Sequence, residues 1–331
     1  MTLILTRSDI LAMLTHEETV VAVERAHADL SRGTAVLPAP PAMRLPGADD
    51  GAAFLAMAAV SAPDRLATVK LLADLPGNRA RGLPVQRSAI LAVSAEDGDC
   101  TALLDGAAVT RFRTAAASAV ATRALARPDA RVLGLIGTGP LALAHAQSLR
   151  TVWAYDRVVL WGRTGERARE LAARIEAEAG VSAEVLAGPR EVTEAADVLC
   201  TLTPSREPLV RGAWFRPGLH VNAVGAPPRP DHREIDTEGM RRSVVVVDAY
   251  DTALAKSGEV VIALAEGAFG PEHVRRELGD VLTGGCAGRT SPEDITLFDS
   301  VGVGLQDLAA ARLLIDGARA RGLGVHIDLA G

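Results

Sequence analysis

The stretch RVLGLIGTGPLALAHAQSL, residues 131 to 149, reads as a buried strand, a glycine turn and a helix. Gly137, Gly139 and Ala142 form G-x-G-x-x-A, with alanine where the dinucleotide-binding pattern usually carries its third glycine. Gly137 would permit the turn, Gly139 would let backbone approach a pyrophosphate, and a small residue at 142 would let helix pack closely on strand, a demand that alanine satisfies. Pro140 suits the first turn of a helix, where no amide donor is required, and the free N–H groups there face an anion. The loop Gly137, Thr138, Gly139, Pro140, Leu141 and Ala142 is therefore the expected phosphate cradle.

Beyond this loop the chain keeps a rhythm of strand, helix, strand through RVVLW, ERARELAARIEAEAG, AEVLA, EVTEAA, DVLCTLT, LHVNAV and SVVVVD. Short apolar strands separated by helices indicate a parallel sheet covered on both faces, so the fold class is α/β with a Rossmann-type doubly wound sheet. The second strand ends in VVLWGRTGERARE, with Arg163 and Thr164 at its tip. An acid there would accept hydrogen bonds from a ribose 2′-hydroxyl, whereas a base accommodates a 2′-phosphate. No carboxylate occupies the tip, so NADP(H) is the expected cofactor, with Arg163 on the phosphate and NAD(H) the less favoured alternative.

Before the loop the pattern differs. Residues 8 to 32 carry apolar residues at helical spacing, with Ser8 and Thr15 as caps, and Gly33 ends them. AAFLAMAAV, LATVKLLA, SAILAVSA and CTALLD are short β-type runs between turn clusters, which predicts an antiparallel or mixed sheet. An alanine-rich helix, AAVTRFRTAAASAVATRALA, follows. After the doubly wound part, DITLFDSVGVGLQDLAAARLLIDGARARG gives a strand-like piece and a long amphipathic helix, expected to lie outside the parallel sheet and to pack on the first lobe. The expected division is 1–125 plus 303–331 as a mixed α+β substrate and dimerisation lobe, and 126–302 as the Rossmann domain.

Composition narrows the function. A chain of 331 residues with 48% apolar content can bury a large core, and a formal charge of −6 supplies no basic field for nucleic acid or an anionic membrane surface. Cys100, Cys200 and Cys286 are odd in number and far apart, which suggests neither disulfides nor a structural zinc site; no metal is expected. The apolar opening run is cut by Arg7 and Asp9, and no run is long enough to span a bilayer, so a cytoplasmic protein is expected. Of 35 basic residues only Lys70 and Lys256 are lysines. An ammonium can lose its proton when desolvated, which draws attention to Lys70 in LATVKLLADL.

Four segments together resemble the ornithine cyclodeaminase/mu-crystallin family: LLDGAAVTRFRTAAASAVA (103–121), the glycine loop, HVNAVGA (220–226) and DITLFDSVGVGLQDLAAA (294–311). The resemblance implies a Rossmann domain inserted in a lobe made from both chain ends, a homodimer, and a small amino or imino acid substrate. It also implies that Arg44 in PAMRLPG, Lys70 in TVKLLADLPGN and Arg113 in FRTAAAS hold the substrate α-carboxylate. Several cations in a dry pocket would fix one acid group firmly enough to orient the atom beside it. The motif, not charge, selects Arg113 over Arg111. Thr114, the loop 137–142, Arg163, Thr164, Thr201, Leu202, Val224 and Ser300 are implied along the cofactor, with Thr203 the alternative to Thr201 in strand register.

Cyclodeaminases of this family use two acids that this sequence lacks. Leu55 in FLAMAAV stands where one would be, and Pro227 in GAPPRPDHREID where the other would be. Without them, hydration of an imine and expulsion of ammonia lack their general bases. The RPDHRE stretch (229–234) is closer to the mu-crystallin branch, whose members act as NADPH-dependent ketimine reductases. The expected function is NADPH-dependent reduction of a small imine bearing a carboxylate, with Lys70 donating the proton and Asp231 a candidate relay. The alternatives are a cyclodeaminase, an amino-acid dehydrogenase, and a non-enzymatic protein that binds nucleotide and a small ligand.

Overall fold

The protein is described by a computed structural model that covers residues 1–47 and 51–329. It divides into two compact units, Met1–Arg113 with Val303–Gly331, and Thr114–Gly302. The first division falls inside the alanine-rich helix rather than after it, and the second lies between Gly302 and Val303.

The first unit begins with β1 (Thr2–Leu5), α1 (Arg7–Met13) and α2 (His16–Ser31). Thr6, not Ser8, caps α1, which already contains Ser8, and Thr15 caps α2, so the segment breaks between Met13 and His16. Then come β2 (Ala35–Val36), β3 (Ala42–Arg44), β4 (Ala53–Ser61), β5 (Leu66–Asp74), β6 (Gln86–Ser94), β7 (Cys100–Asp105) and α3 (Gly106–Leu125). Strands β4 to β7 form an antiparallel meander, while β1 joins β7 in parallel, so the sheet is mixed.

The second unit contains β8 (Val132–Ile136), α4 (Pro140–Arg150), β9 (Arg157–Trp161), α5 (Gly165–Ala179), β10 (Ser182–Val185), α6 (Pro189–Ala195), β11 (Val198–Thr201) and β12 (His220–Ala223). It continues through α7 (Thr237–Arg242), β13 (Val244–Val247), α8 (Tyr250–Lys256), α9 (Gly258–Ala265), β14 (Arg276–Glu277), α10 (Leu278–Thr283) and β15 (Thr296–Asp299). The strand order is β10-β9-β8-β11-β12-β15-β13-β14 and every pairing is parallel. Chain direction across the sheet reverses between β8 and β11, the switch point at which such sheets bind ligands.

One expectation is corrected here. The strand-like piece of the 294–322 segment does not lie outside the parallel sheet. β15 sits inside it, between β12 and β13, with all four residues buried. Leu297 and Phe298 are fully covered, and only an interior position with helices on both faces provides that cover.

The chain then returns to the first unit as α11 (Gly304–Arg321) and β16 (Val325–Ile327), the latter antiparallel to β1. Helix α11 packs on α2, β4 and β5. Gly304 makes the approach possible, since a Cβ there would stand 2.7 Å from the carbonyl oxygen of Ala58 on β4. The first turn of α11 therefore rests on strand backbone. Among the described residues no helix is long and apolar enough to cross a membrane.

Candidate active site

On β5, alternation turns Leu66, Thr68, Lys70, Leu72 and Asp74 to the covered face of the sheet. Lys70 is thereby carried into the core of the first unit, 1% exposed. Its ammonium lies 2.7 Å from the Asp307 carboxylate, in the first turn of α11, and 3.4 Å from the Thr110 hydroxyl on α3. Arg113, one turn further along α3, donates from Nε to Asp307 at 3.1 Å and from Nη1 to the Gln306 amide oxygen at 2.7 Å. That bond fixes the Gln306 amide, whose nitrogen then donates to His27 Nε2 at 3.1 Å. His27 is fully buried, and burial brings its pKa down to about 4, so it stays a neutral acceptor.

This cluster joins two cations to one anion away from water. Burial above all, and then the charge of Arg113, brings the Lys70 pKa down to about 8, while Asp307 opposes the fall. The ammonium is thus close to releasing a proton at neutral pH. With His27 neutral, the Lys70–Arg113–Asp307 group carries one unmatched positive charge, which a substrate carboxylate would balance. Ala53, Leu55, Met57 and Leu72 form an apolar cluster on the same face, and Met57 stands directly across from Lys70.

In the second unit, β8 ends in the glycine loop. Gly137 has φ +120°, a conformation that favours glycine, and a Cβ there would stand 2.8 Å from the Leu202 carbonyl oxygen beyond β11. Gly139 caps α4, Pro140 is its first residue, and a Cβ on Gly139 would meet nothing within 4 Å. The loop thus leaves open space at a helix N-terminus, the geometry a dinucleotide pyrophosphate requires. Ala142 is fully buried, as a small residue at this place in the pattern should be. Arg163 and Thr164 are exposed just past β9, with no carboxylate at that tip. Thr201 closes β11, and Leu202, Val224 and Ser300 directly follow the ends of β11, β12 and β15, all buried. Thr114 is buried on α3.

The remaining expected residues are distributed differently. Arg44 is exposed on β3, opposite Ala53, and shares the sheet face of Lys70 without touching the Lys70–Arg113–Asp307 group. Asp231 is exposed in its loop, where it accepts from His232 Nδ1 at 3.0 Å and lies 3.9 Å from Arg206. Leu55 is 2% exposed within the apolar cluster, and Pro227 is half-buried. Among the described residues no group of three His, Cys, Asp or Glu side chains could hold a metal ion. Sequence reasoning missed Asp307, Gln306 and His27. The one visible signal, for Gln306 and Asp307, is LQDLAAARLL, where two adjacent polar residues interrupt a helix otherwise apolar at its start; His27 on α2 gives none.

Comparison with known proteins gives the same architecture. The family model described as ornithine cyclodeaminase/mu-crystallin family matches residues 1–322. The ketimine reductase mu-crystallin of Mus musculus is 36% identical over 78% of this chain and 79% of its own. The structure of Thermococcus litoralis Delta(1)-pyrroline-2-carboxylate reductase in complex with NADH and L-proline superposes with TM-score 0.93 at 32% identity, covering 98% of this chain and 100% of that one. An archaeal alanine dehydrogenase dimer with bound NAD superposes with TM-score 0.92 at 33% identity, over 99% of each chain.

Asp307→Asn leaves two buried cations facing each other without a counter-charge. Removing one partner of a buried pair destabilises by about 3–5 kcal/mol. The expected result is a clear loss of stability in chemical unfolding, larger than that of Arg113→Met, which removes a cation instead. Equal stability of Asp307→Asn and the unmodified chain would contradict the charge assignment.

Proposed function

The chain belongs to the ornithine cyclodeaminase/mu-crystallin family, and on that premise we propose that it is an NADPH-dependent reductase of a small imine or ketimine carrying an α-carboxylate. It is an oxidoreductase of carbon–nitrogen bonds, and the product is an amino acid or a cyclic imino acid. The observation that carries the reading is the unmatched positive charge in the Lys70–Arg113–Asp307 cluster. Arg113 would grip one carboxylate oxygen and Lys70 the other, with Arg44 closing from β3. Held so, the substrate loses the freedom that makes a bimolecular encounter slow. A bound reduced nicotinamide would supply the hydride. Lys70 would deliver the proton to the imine nitrogen, a task for which a pKa of about 8 is suited.

The apolar cluster of Ala53, Leu55, Met57 and Leu72 favours a hydrocarbon ring or chain beside the carboxylate. It offers no acid to receive the second amino group of a diamino acid, which argues against cyclodeamination. Amino-acid dehydrogenation is the same reaction run backwards, with the neutral amine of Lys70 as base at alkaline pH. The nucleotide lies on the 137–142 loop, and the exposed Arg163 together with the acid-free tip of β9 supports the phosphorylated coenzyme. Asp231 is assigned as a proton relay through its loop. The protein acts as a homodimer in the cytoplasm. Support for the dimer comes from the outer face of the first unit's sheet, where Val60, Leu71, Leu91 and Leu103 stand exposed and Leu91 lies directly across from Leu103.

Purified protein screened by nicotinamide absorbance against cyclic ketimines, and against keto acids with amines, should oxidise NADPH faster than NADH. In that assay Arg163→Ala should raise the NADPH KM about 10- to 100-fold, the loss of one charge-assisted hydrogen bond, and leave the NADH KM in place. Reductive kcat should fall on an alkaline limb near pH 8 as Lys70 gives up its proton. Lys70→Met should remove the limb and lower kcat by about 10²- to 10⁴-fold; a variant with intact turnover and only a raised KM would assign Lys70 to binding alone. Leu91→Asp should convert a sedimenting dimer to a monomer, and an unchanged sedimentation coefficient would move the interface elsewhere.

A further inference from the structure

Glu234 is wholly buried in the second unit and has no part in the chemistry above. Its carboxylate accepts from two loops at once. The N–H and the hydroxyl of Thr203 both reach Oε1 at 2.6 Å, and the N–H of Gly225 reaches Oε2 at 2.7 Å. Thr203 lies just past the end of β11 and Gly225 just past the end of β12. The two loops are in contact, since a Cβ on Gly225 would collide with the backbone nitrogen of Thr203.

The backbone of Glu234 is held by a separate set of bonds. The Glu234 carbonyl accepts from the N–H groups of Leu209 and Val210 at 2.9 and 3.0 Å, and its own N–H donates to Glu259 Oε1 at 2.8 Å. Glu259, buried in the first turn of α9, is backed by Gly258, whose Cα faces the His232 carbonyl too closely for any side chain. The loops are therefore set against a fixed post. Asp248 repeats the device one strand away, accepting from the N–H of Gly302 at 2.6 Å and from the Ser300 hydroxyl at 3.4 Å, just past β15. Burial pushes the Glu234 pKa up to about 7 against the hydrogen bonds from Thr203, and Glu259 adds to the rise. An acid kept in so unfavourable a place has a structural demand to meet. Only a carboxylate presents acceptors on both oxygens; glutamine would turn an NH₂ toward one of the two loops, donor against donor.

We propose that Glu234 is a positioning residue for dinucleotide binding, whose carboxylate fixes Leu202 and Thr203 against Val224 and Gly225 at the sheet edge where the nucleotide lies. The inference rests on the nucleotide reading given above. It acts through backbone, so it concerns coenzyme affinity rather than the reacting atoms.

The test uses the full-length protein without ligand and with NADPH. In Glu234→Gln, backbone hydrogen exchange should quicken in peptides covering 202–204 or 224–226, with the rest of the parallel sheet unchanged. The NADPH Kd, read by nicotinamide fluorescence, should rise about tenfold or more, the loss of hydrogen bonds to a charged group. Thr203→Val, which deletes only the hydroxyl donor, should move both readouts in the same direction by less, and Thr203→Ser should restore them; this pair serves if Glu234→Gln does not fold. Wild-type exchange and affinity in Glu234→Gln, or no difference between Thr203→Val and Thr203→Ser, would overturn the inference. Failure of the unaltered protein to bind either coenzyme would instead remove the nucleotide reading on which it stands.

Discussion

A lysine and an arginine share one buried aspartate, and most of the first unit follows from keeping them together. Asp307 can reach Lys70 only if α11 lies directly on β4, which Gly304 permits. It can reach Arg113 only if α3 presents that residue, and not its neighbour Arg111, to the interior. Taking three charges out of water is unfavourable, and their mutual attraction repays it only when geometry is good and remaining donors are satisfied. Gln306 and Thr110 supply those remaining partners, and His27 stays uncharged behind Gln306. What the arrangement cannot supply is a second anion. The group is left with one unit of positive charge more than Asp307 balances, and the substrate α-carboxylate proposed above would answer it.

The second unit meets a related problem by a different route. Parallel strands end in loops whose backbone must lie close together, because the crevice at the switch point is made of backbone rather than side chains. Gly137 presses on Leu202, and Gly225 presses on Thr203. Contacts this tight exclude side-chain adjustment, so the loops need acceptors behind them. Buried carboxylates fill that need, Glu234 behind the loops past β11 and β12 and Asp248 behind the loop past β15, and burial at this sheet edge raises the Glu234 pKa.

The parallel sheet could be read from sequence because its signals are local. A glycine turn after an apolar strand, with proline at the next helix start, needs no distant partner to be recognised. β15 defeated that reading because its place in the sheet depends on strands more than fifty residues earlier. The same limit explains the site. Lys70 and Arg113 stood out through composition and motif, but Asp307 belongs to them only after 194 residues of chain have folded back. Asp231 and Glu234 sit three positions apart in one loop, and nothing in RPDHRE says which carboxyl is covered. The structure leaves Asp231 in solvent and buries Glu234.

Residue usage ties these points to chemistry. A chain that writes arginine almost everywhere keeps lysine at two positions. Lys256, half-buried, lies in the last turn of a short helix, where any cation complements the dipole and arginine would serve as well. At position 70 the proton transfer proposed above excludes arginine. Its guanidinium would remain charged under any desolvation the core can impose, so it could hold a carboxylate but never pass a proton. Burial beside Arg113 would drive an isolated ammonium toward the neutral amine, and Asp307 holds it back at the point where both forms are accessible near neutral pH. The aspartate therefore does two things with one pair of oxygens: it permits the cations to be buried, and it sets the acidity of the only one that can change its charge.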